Sequence, residues 1–536
     1  MSPNILRRTG AIALSGAVAA GLTLAGPAAH AATDHRPANM AAGWLAGELV
    51  DGALQSSFGG PDWGLTIDAG LAFEEVGGHE AELSSIAAAV EGHVADYVTG
   101  DSFGDADSTY SKATAKAAYF AESVGADPTA FGGDDLMTRL GATLQASGRI
   151  KDISAYGDYA NVIGQAFAAR VLVDQASSSA GAALSFLLSQ QCAAGWFRQD
   201  FTHVGADPAN FDPGTATDAP CSAGADVEST PSVDTTALTV MLLEPLAGTD
   251  QDIAAALSGA VDWLQSAQRT NGSFDDGGDI GPNANSTSVA AWALRVAGAD
   301  SAAARAATWV RALQIGETAC DGAATVDEGA VAYTAADYKA AVAGGVTDRA
   351  KFDRVATQAV PALLAAPAAT TNLKLGGAPS FLDGGTKQKL SPSGLAPGER
   401  GCASIGGNHR SVVGDADGAA TVLVPVPDRT KQVTVAIEVV GQAVGTPRVA
   451  LAAKRLPVDL RQRVQPGGTQ RVVVDGLWPG ESVVVKNAGD LVARGRAAED
   501  GSFVAKFPVA RKAGSCEVAV RGQFGDRHGS TSYQVG

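Results

Sequence analysis

The sequence predicts a chain in two parts: a ring of six helical hairpins, then two small β-sandwich modules. Three observations predict it. The first is a helix–turn–helix unit, clearest at Leu257–Leu294. It opens with the apolar pattern Ala260-Val261-Asp262-Trp263-Leu264 and turns at Asn271-Gly272-Ser273-Phe274. It resumes with Ser288-Val289-Ala290-Ala291-Trp292-Ala293-Leu294. Neither helix can bury its apolar face alone, so such units stack on one another. The second is recurrence: between Pro37 and Ala366 the starts of the second helices fall at 68, 111, about 161, 234, 286 and 327. The third is a change at Leu364 from helical periodicity to short alternating β-branched runs separated by turn signals.

The six units follow in order. Trp44-Leu45 begins the first outer helix, and Thr66 to Phe73 is its inner partner. The second unit runs from about Ile86 to an inner helix at Ser111 through Phe120, and the third pairs Leu136 to Leu144 with Asn161 to Leu172. The fourth has Phe186-Leu187 outside and Val233 to Leu238 inside, and its long connection accounts for the one long step in the series. The fifth is the unit described above. The sixth joins Trp309 and Gln314 to an inner helix expected at Val326 to Tyr333. Six hairpins of this kind can close on themselves, with inner helices around a central cavity and outer helices surrounding them.

The spacing of aromatic, Gln and Gly-x-aromatic appears as Phe186, Gln191, Gly195, Phe197 and again as Trp263, Gln268, Gly272, Phe274. It is partial at Trp309 and Gln314. This resembles the repeat of the terpenoid cyclase and protein prenyltransferase superfamily, over roughly 330 residues. The resemblance implies an (α/α)6 toroid. It implies no single chemistry, since non-enzymatic relatives such as the transcobalamins share the toroid. The catalytic motifs of the resembled enzymes are incomplete here. There is no Asp-x-Asp-Asp run; the nearest approach is Asp275-Asp276-Gly277-Gly278-Asp279, in a loop. Cys320 and Asp327 lack the histidine that would complete a prenyltransferase-like zinc set, because none lies between His203 and His409. His-Glu-x-x-His, a phosphate loop and a thioester Cys-x-x-Gln are also absent.

Asp68, Ser111, Asp234, Ser286 and Asp327 recur at the expected inner-helix starts, where helix capping explains them. Their helix ends face one rim of the cavity, so the ligand-binding candidates are Asp68, Trp63, Asp234, Asp327 and Trp196. A glycan-active cleft would draw on Trp63, Asp62, Asp68, Tyr156, Tyr159, Trp196 and Asp234. No catalytic residue, metal site or cofactor is assigned. With 6% aromatic residues, the inner helices offer mostly Ala, Val and Leu to the cavity.

Residues 1–31 read as a secretory signal, with Arg7-Arg8, an apolar stretch from Ala11 to Ala25 and a cleavage site at Ala29-His30-Ala31. Its removal takes the formal net charge from −18 to −20. That argues against nucleic acid or anionic lipid as a partner, since phosphate binding needs clustered Lys and Arg. No membrane span follows the signal. The expected partner is a small molecule, a glycan or an envelope protein. Five cysteines in an exported chain imply disulfides. Cys192 and Cys221 bracket a polar, Pro- and Asp-rich loop, most of the unusual stretch Arg198–Asp226, and form the expected pair. Closing that loop is worth about 3 kcal/mol. One of Cys320, Cys402 and Cys516 is left over. The loop also carries Asp200, Asp207, Asp212, Asp218 and Asp226 with Phe201 and Phe211, and reads either as a solvated excursion or as a disulfide-closed flap over one mouth of the cavity.

After a linker at 367–382, the β region is internally duplicated. Gly394-Leu395-Ala396-Pro397-Gly398-Glu399 returns as Gly476-Leu477-Trp478-Pro479-Gly480-Glu481. The two copies resemble immunoglobulin-like modules of bacterial surface proteins, spanning Asp383–Lys454 and Arg455–Gly536, and neither shows catalytic residues. The sequence therefore points to an exported, non-catalytic binding or interaction protein of the envelope. A toroid enzyme, cyclase-like or glycan-active, and a transcobalamin-like carrier of a bulky ligand stand as alternatives.

Overall fold

The computed structural model describes residues 32–536 except 102–103, 207–213, 222–229, 278–279, 380, 429–431, 454 and 524–526. The signal segment, Asp279 and much of the Asp-rich loop, including Asp207, Phe211, Asp212 and Asp226, lie outside the described residues. Fourteen helices are described: α1 (Arg36–Gly47), α2 (Trp63–Val76), α3 (Glu80–Gly92), α4 (Val94–Val98), α5 (Ser111–Ser123), α6 (Leu136–Thr143), α7 (Val162–Asp174), α8 (Ala180–Ser189), α9 (Val233–Leu243), α10 (Gln251–Ala267), α11 (Ala284–Val296), α12 (Asp300–Arg311), α13 (Ala335–Gly344) and α14 (Arg349–Leu363).

Six of them form an inner ring. α2 packs on α5, α5 on α7, α7 on α9, α9 on α11, α11 on α14, and α14 back on α2. Outside it, α3, α6, α8, α10 and α12 pack on α2, α5, α7, α9 and α11, and α1 packs on α14 and α2. The helical region is therefore a closed (α/α)6 toroid. Small residues make the close inner contacts: Ala115, Ala117, Ala118, Ala166, Ala168, Ala169, Ala290, Ala291 and Ala293 are all fully buried.

The Gln and Gly of the repeat hold neighbouring hairpins together. Gln191 donates from Nε2 to the turn carbonyl of Gly195 and to Ala256 O on α10, each at 2.7 Å. Gln268 does the same to Gly272 O at 3.1 Å and to Ala302 O on α12 at 2.9 Å. Gln314 donates to Gly329 O at 3.2 Å and to Pro37 O on α1 at 2.8 Å, which joins the sixth unit to the first. The turn glycines approach the next outer helix too closely for a side chain. A Cβ on Gly272 (φ +91°) would sit 2.2 Å from Arg305 O, and one on Gly329 (φ +94°) 2.1 Å from Met40 O.

Two expectations are corrected. The sixth inner helix is α14, not Val326 to Tyr333; that segment contains the end of a 3₁₀ turn, Gly322–Asp327, and the turn glycine Gly329. The caps are also displaced. Asp62, Asn161, Ser232 and Asn283 cap α2, α7, α9 and α11, and Asp152 reaches across to the N–H of Ser111 at 2.7 Å. In the four that cap their own helix, the capping residue has extended backbone and immediately precedes the helix. Asp68, Asp234 and Ser286 lie inside their helices.

The β region has two cores, one from Leu373 to Leu451 and one from Leu456 to Val535. Each is a sandwich in which an early strand pairs in parallel with the last: Phe381–Asp383 with Val449–Ala452, and Arg463–Val464 with His528–Val535. The repeated Pro-Gly turn has the same build in both. Glu399 accepts from Ala396 N, and Glu481 from Trp478 N, each at 2.8 Å. In both modules this turn contacts the preceding body. Glu399 is buried against Arg36 and Arg311 of the toroid. Trp478 packs on Phe381 of the first module at 4.5 Å, and Arg527, beside Glu481, bonds Asp383 at 2.7 Å. Arg400 lies over the Tyr338 ring at 3.6 Å, and the disulfide Cys320–Cys402 ties the toroid to the first module. Cys192 and Cys221 are the second disulfide, and Cys516 is the free thiol.

Candidate functional site

The inner helices run parallel, so residues at i, i+3, i+4 and i+7 on each helix form stripes facing the ring axis. On α2 this stripe holds Asp68, Leu71 and Glu75, on α5 Lys116 and Tyr119, on α9 Asp234, Leu238 and Met241, and on α11 Asn285, Ser288, Trp292 and Val296. Around the axis lies a cavity of about 230 Å³. Its wall is apolar and aromatic, with Leu71, Tyr119, Phe167, Leu238, Met241 and Trp292. Its polar residues are Asp68, Glu74, Glu75, Glu244, Thr357 and Gln358. Every one of the six inner helices contributes, and Glu244 and Pro245 just beyond α9 mark the end where the inner helices terminate.

The expectation of an Ala-, Val- and Leu-lined centre is therefore corrected. The alanines occupy the helix–helix contacts, and the few large side chains of each inner helix are on the axial stripe. Tyr119, Phe167 and Trp292 were legible as members of those stripes once the inner helices were placed.

Electrostatically the cavity wall is acidic. Asp68 is ion-paired with Lys116 at 2.6 Å, and Lys116 also donates to Gly64 O at 2.9 Å. Burial opposes the charged form of Lys116, but Asp68 beside it more than offsets this and its pKa is raised. Glu75 pairs with Arg295. Burial, then Glu75, pushes the Glu74 carboxyl up. Near the same mouth, burial lifts Glu122 to about 6.

Asp234 lies one helical turn before Leu238, below the cavity. Burial and the neighbouring Asp276 push its carboxyl up to about 7, although Ser286 and Asn285 hydrogen-bond it and pull the other way. Asp276 accepts from Asp234 N at 3.1 Å and from Ser232 Oγ at 3.4 Å, so this member of the expected loop run serves the start of α9. Burial raises its pKa as well. A carboxyl that keeps its proton near neutrality can donate a hydrogen bond or a proton, and one that loses it becomes an unneutralised buried anion.

The remaining candidates lie at a helix start and in turns. Trp63 begins α2 and stacks on His93 at 4.8 Å. Trp196 is 6% exposed inside the fourth hairpin turn, where Cys192 N donates to its carbonyl, and it does not reach the axis. Asp327 is buried at the end of the 3₁₀ turn, not in an inner helix, and is ion-paired at 2.9 Å with Arg349, the first residue of α14. The disulfide loop is held down by buried Arg198, which bonds Ala219 O at 2.6 Å, and by Arg149, which pairs with Asp158 and Asp218 at 3.0 Å. Asp200 pairs with Asn161 at the start of α7, placing this part of the loop at the opposite end of the ring from Glu74 and Glu244. Among the described residues no group of three or more His, Cys, Asp or Glu is arranged to hold a metal ion.

Fold and site together define a hollow toroid with appended immunoglobulin-like modules. No family model and no curated protein matches the chain. Among solved structures, the chain is similar to the type II terpene cyclase MstE from Scytonema (17% identity, TM-score 0.40, 61% of this chain and 96% of that one). It is also similar to a protein from Actinoplanes (14%, TM-score 0.40, 62% and 99%) and to the D0-D1 domain of intimin (13%, TM-score 0.15, 31% and 97%). The closed ring itself rests on the helix packing described above.

Proposed function

We propose that this chain is an exported, non-catalytic binding protein, with the toroid holding a small ligand in its axial cavity and the β modules presenting it to an envelope partner. The observation that carries this reading is the cavity of about 230 Å³, with Tyr119, Phe167, Trp292 and Met241 in its wall and carboxylates at one end. An apolar, aromatic hollow with a few convergent polar groups is the usual form of a small-molecule site. Its size is just under the common range of about 300–1,000 Å³. That favours a chain-like or single-ring compound over the bulky tetrapyrrole of the transcobalamin comparison. Two disulfides fit an oxidising compartment. No helix among the described residues is long and apolar enough to cross a membrane. Docking of each module by the same Pro-Gly turn makes the β region a semi-rigid arm, suited to holding the toroid at a distance.

Native mass spectrometry of the protein purified from the cells that make it tests the proposal. A retained small molecule, lost when Leu238→Trp fills the cavity, is the expected result. No retained ligand, together with turnover of an isoprenoid or a polysaccharide, overturns it.

One observation favours the enzyme reading: Asp234, below the cavity, keeps its proton to about pH 7, as an acid catalyst would. In that case Asp234→Asn abolishes turnover and leaves ligand retention unchanged.

A further inference from the structure

Three polar atoms below the cavity have no hydrogen-bonding partner: Asp234 Oδ1 on α9, and Asn285 Oδ1 and Ser288 Oγ on α11. Ser288 is fully buried, at 0% exposure. Helical spacing aims all three at the axis. Asp234 precedes the cavity residues Leu238 and Met241 by four and seven places, and Asn285 and Ser288 precede Trp292 by seven and four. α9 and α11 pack directly on each other, so the three side chains share one wall. Asn285 Oδ1 is a pure acceptor, and Asp234 Oδ1 is one whenever the carboxyl is ionised. Leaving a buried acceptor unpaired costs about 1–3 kcal/mol, so the set is built for a group that brings donors.

The sign of that group follows from its surroundings. The cavity wall contains four acidic side chains and no lysine or arginine. Asp276 adds a second carboxyl beside Asp234. Lys351, beside Tyr333, is committed to Asp337 at 2.8 Å and to the face of that ring at 5.0 Å. Lys116, on α5 outside the cavity lining, is committed to Asp68, and Lys112, one turn before it, has Asp68, Asp200 and Asp152 as its acidic neighbours. The indole of Trp292, one turn above Ser288, offers an aromatic face to a cation.

We propose that Asp234, Asn285 and Ser288 form a subsite for the ammonium head of the ligand, whose apolar body lies against Trp292, Phe167 and Tyr119. The ligand is then an alkyl- or arylammonium compound and not an acid or a neutral lipid. This inference rests on the cavity reading above. Ammonium N–H groups satisfy the carboxylate and amide oxygens, and the positive charge offsets the Asp234–Asp276 repulsion.

The test is calorimetric titration of the full mature chain at 150 mM salt with three matched probes: octylammonium, octanol and octanoate. Octylammonium is expected to bind one per chain, at least tenfold more tightly than octanol, with octanoate weakest. In Asp234→Asn, octylammonium falls to the affinity of octanol, and octanol binding is retained. Ser288→Ala, which removes only a hydroxyl, lowers octylammonium affinity several-fold and provides a second variant if Asp234→Asn folds poorly. Equal binding of octylammonium and octanol to the wild type overturns the inference and leaves the cavity reading standing, as does a preference that survives Asp234→Asn. Binding of none of the three overturns both.

Discussion

Gln314 is the residue on which closure of the ring can be tested by a single substitution. It is 6% exposed and donates to Gly329 O and Pro37 O, bonds of 3.2 and 2.8 Å that span 15 and 277 residues of sequence. Gln314→Ala removes both donors and leaves two carbonyls in a dry contact between the first and sixth hairpins. Each bond is worth about 0.5–1.5 kcal/mol net, and an unsatisfied buried acceptor costs somewhat more, so the loss is about 2–3 kcal/mol. Urea unfolding followed by far-UV circular dichroism measures it as a shift in midpoint at unchanged slope. Gln191→Ala, which removes the same pair of bonds within the chain of hairpins, serves as the internal standard and loses a similar amount. If Gln191→Ala is costly while Gln314→Ala stays within about 0.5 kcal/mol of wild type, as surface substitutions do, the two ends do not meet. The helical region is then an open superhelix.

Further outcomes follow from the same geometry. Gly272→Ala puts a Cβ 2.2 Å from Arg305 O at φ +91°, and the strain and overpacking together cost about 3 kcal/mol or more, read as a lower urea midpoint. Cys320→Ser removes a crosslink that spans 82 residues. Loop entropy assigns it about 4 kcal/mol, and limited proteolysis near the toroid–module junction should accelerate while helical content is unchanged. Asp353 is 4% exposed, and burial, then Glu48, raises its carboxyl to about 7. The unfolded chain ionises near pH 4 and the folded one near pH 7. The stability contributed by protonated Asp353 is therefore complete below about pH 4 and lost as pH rises through about 7, at up to about 1.4 kcal/mol per unit. Thermal melts should show the toroid more stable at pH 5 than at pH 8, and Asp353→Asn should flatten that dependence. The affinity for octylammonium has the opposite sign, rising about tenfold from pH 6 to pH 8 as Asp234 ionises. The charged and titratable groups around it are Asp276 and Asp275 of the loop between α10 and α11, Tyr333, and Lys351 with Asp337.

Much of this fold was legible because the determining signals are local. The apolar period of the helices, the Gln and Gly of the turns and the duplicated Pro-Gly turn all act within one hairpin or one module. The sixth inner helix was misplaced because Gly329 stands fifteen residues after Gln314, where Gly272 stands four after Gln268. The intervening insertion, Ile315 to Glu328, contains Asp327 and mimics a helix start. The true helix, α14, lacks a strong cap and contains Pro361. The caps were displaced because several Asp and Ser residues precede or begin each helix, and only backbone conformation selects among them. The cavity was misjudged because composition averages over faces: alanine dominates the inner helices by number, while one stripe of larger residues faces the axis. The Cys320–Cys402 pair depends on docking of two separately folded bodies, which no local pattern records.

The central claim is that the closed ring is hollow and that its hollow binds a ligand. Calorimetric titration of octylammonium into the wild type and into a Leu238→Trp variant of equal thermal stability tests it most directly. One molecule bound per wild-type chain and none bound by the filled variant is the predicted result. Equal binding by the two, or none by the wild type, would contradict it.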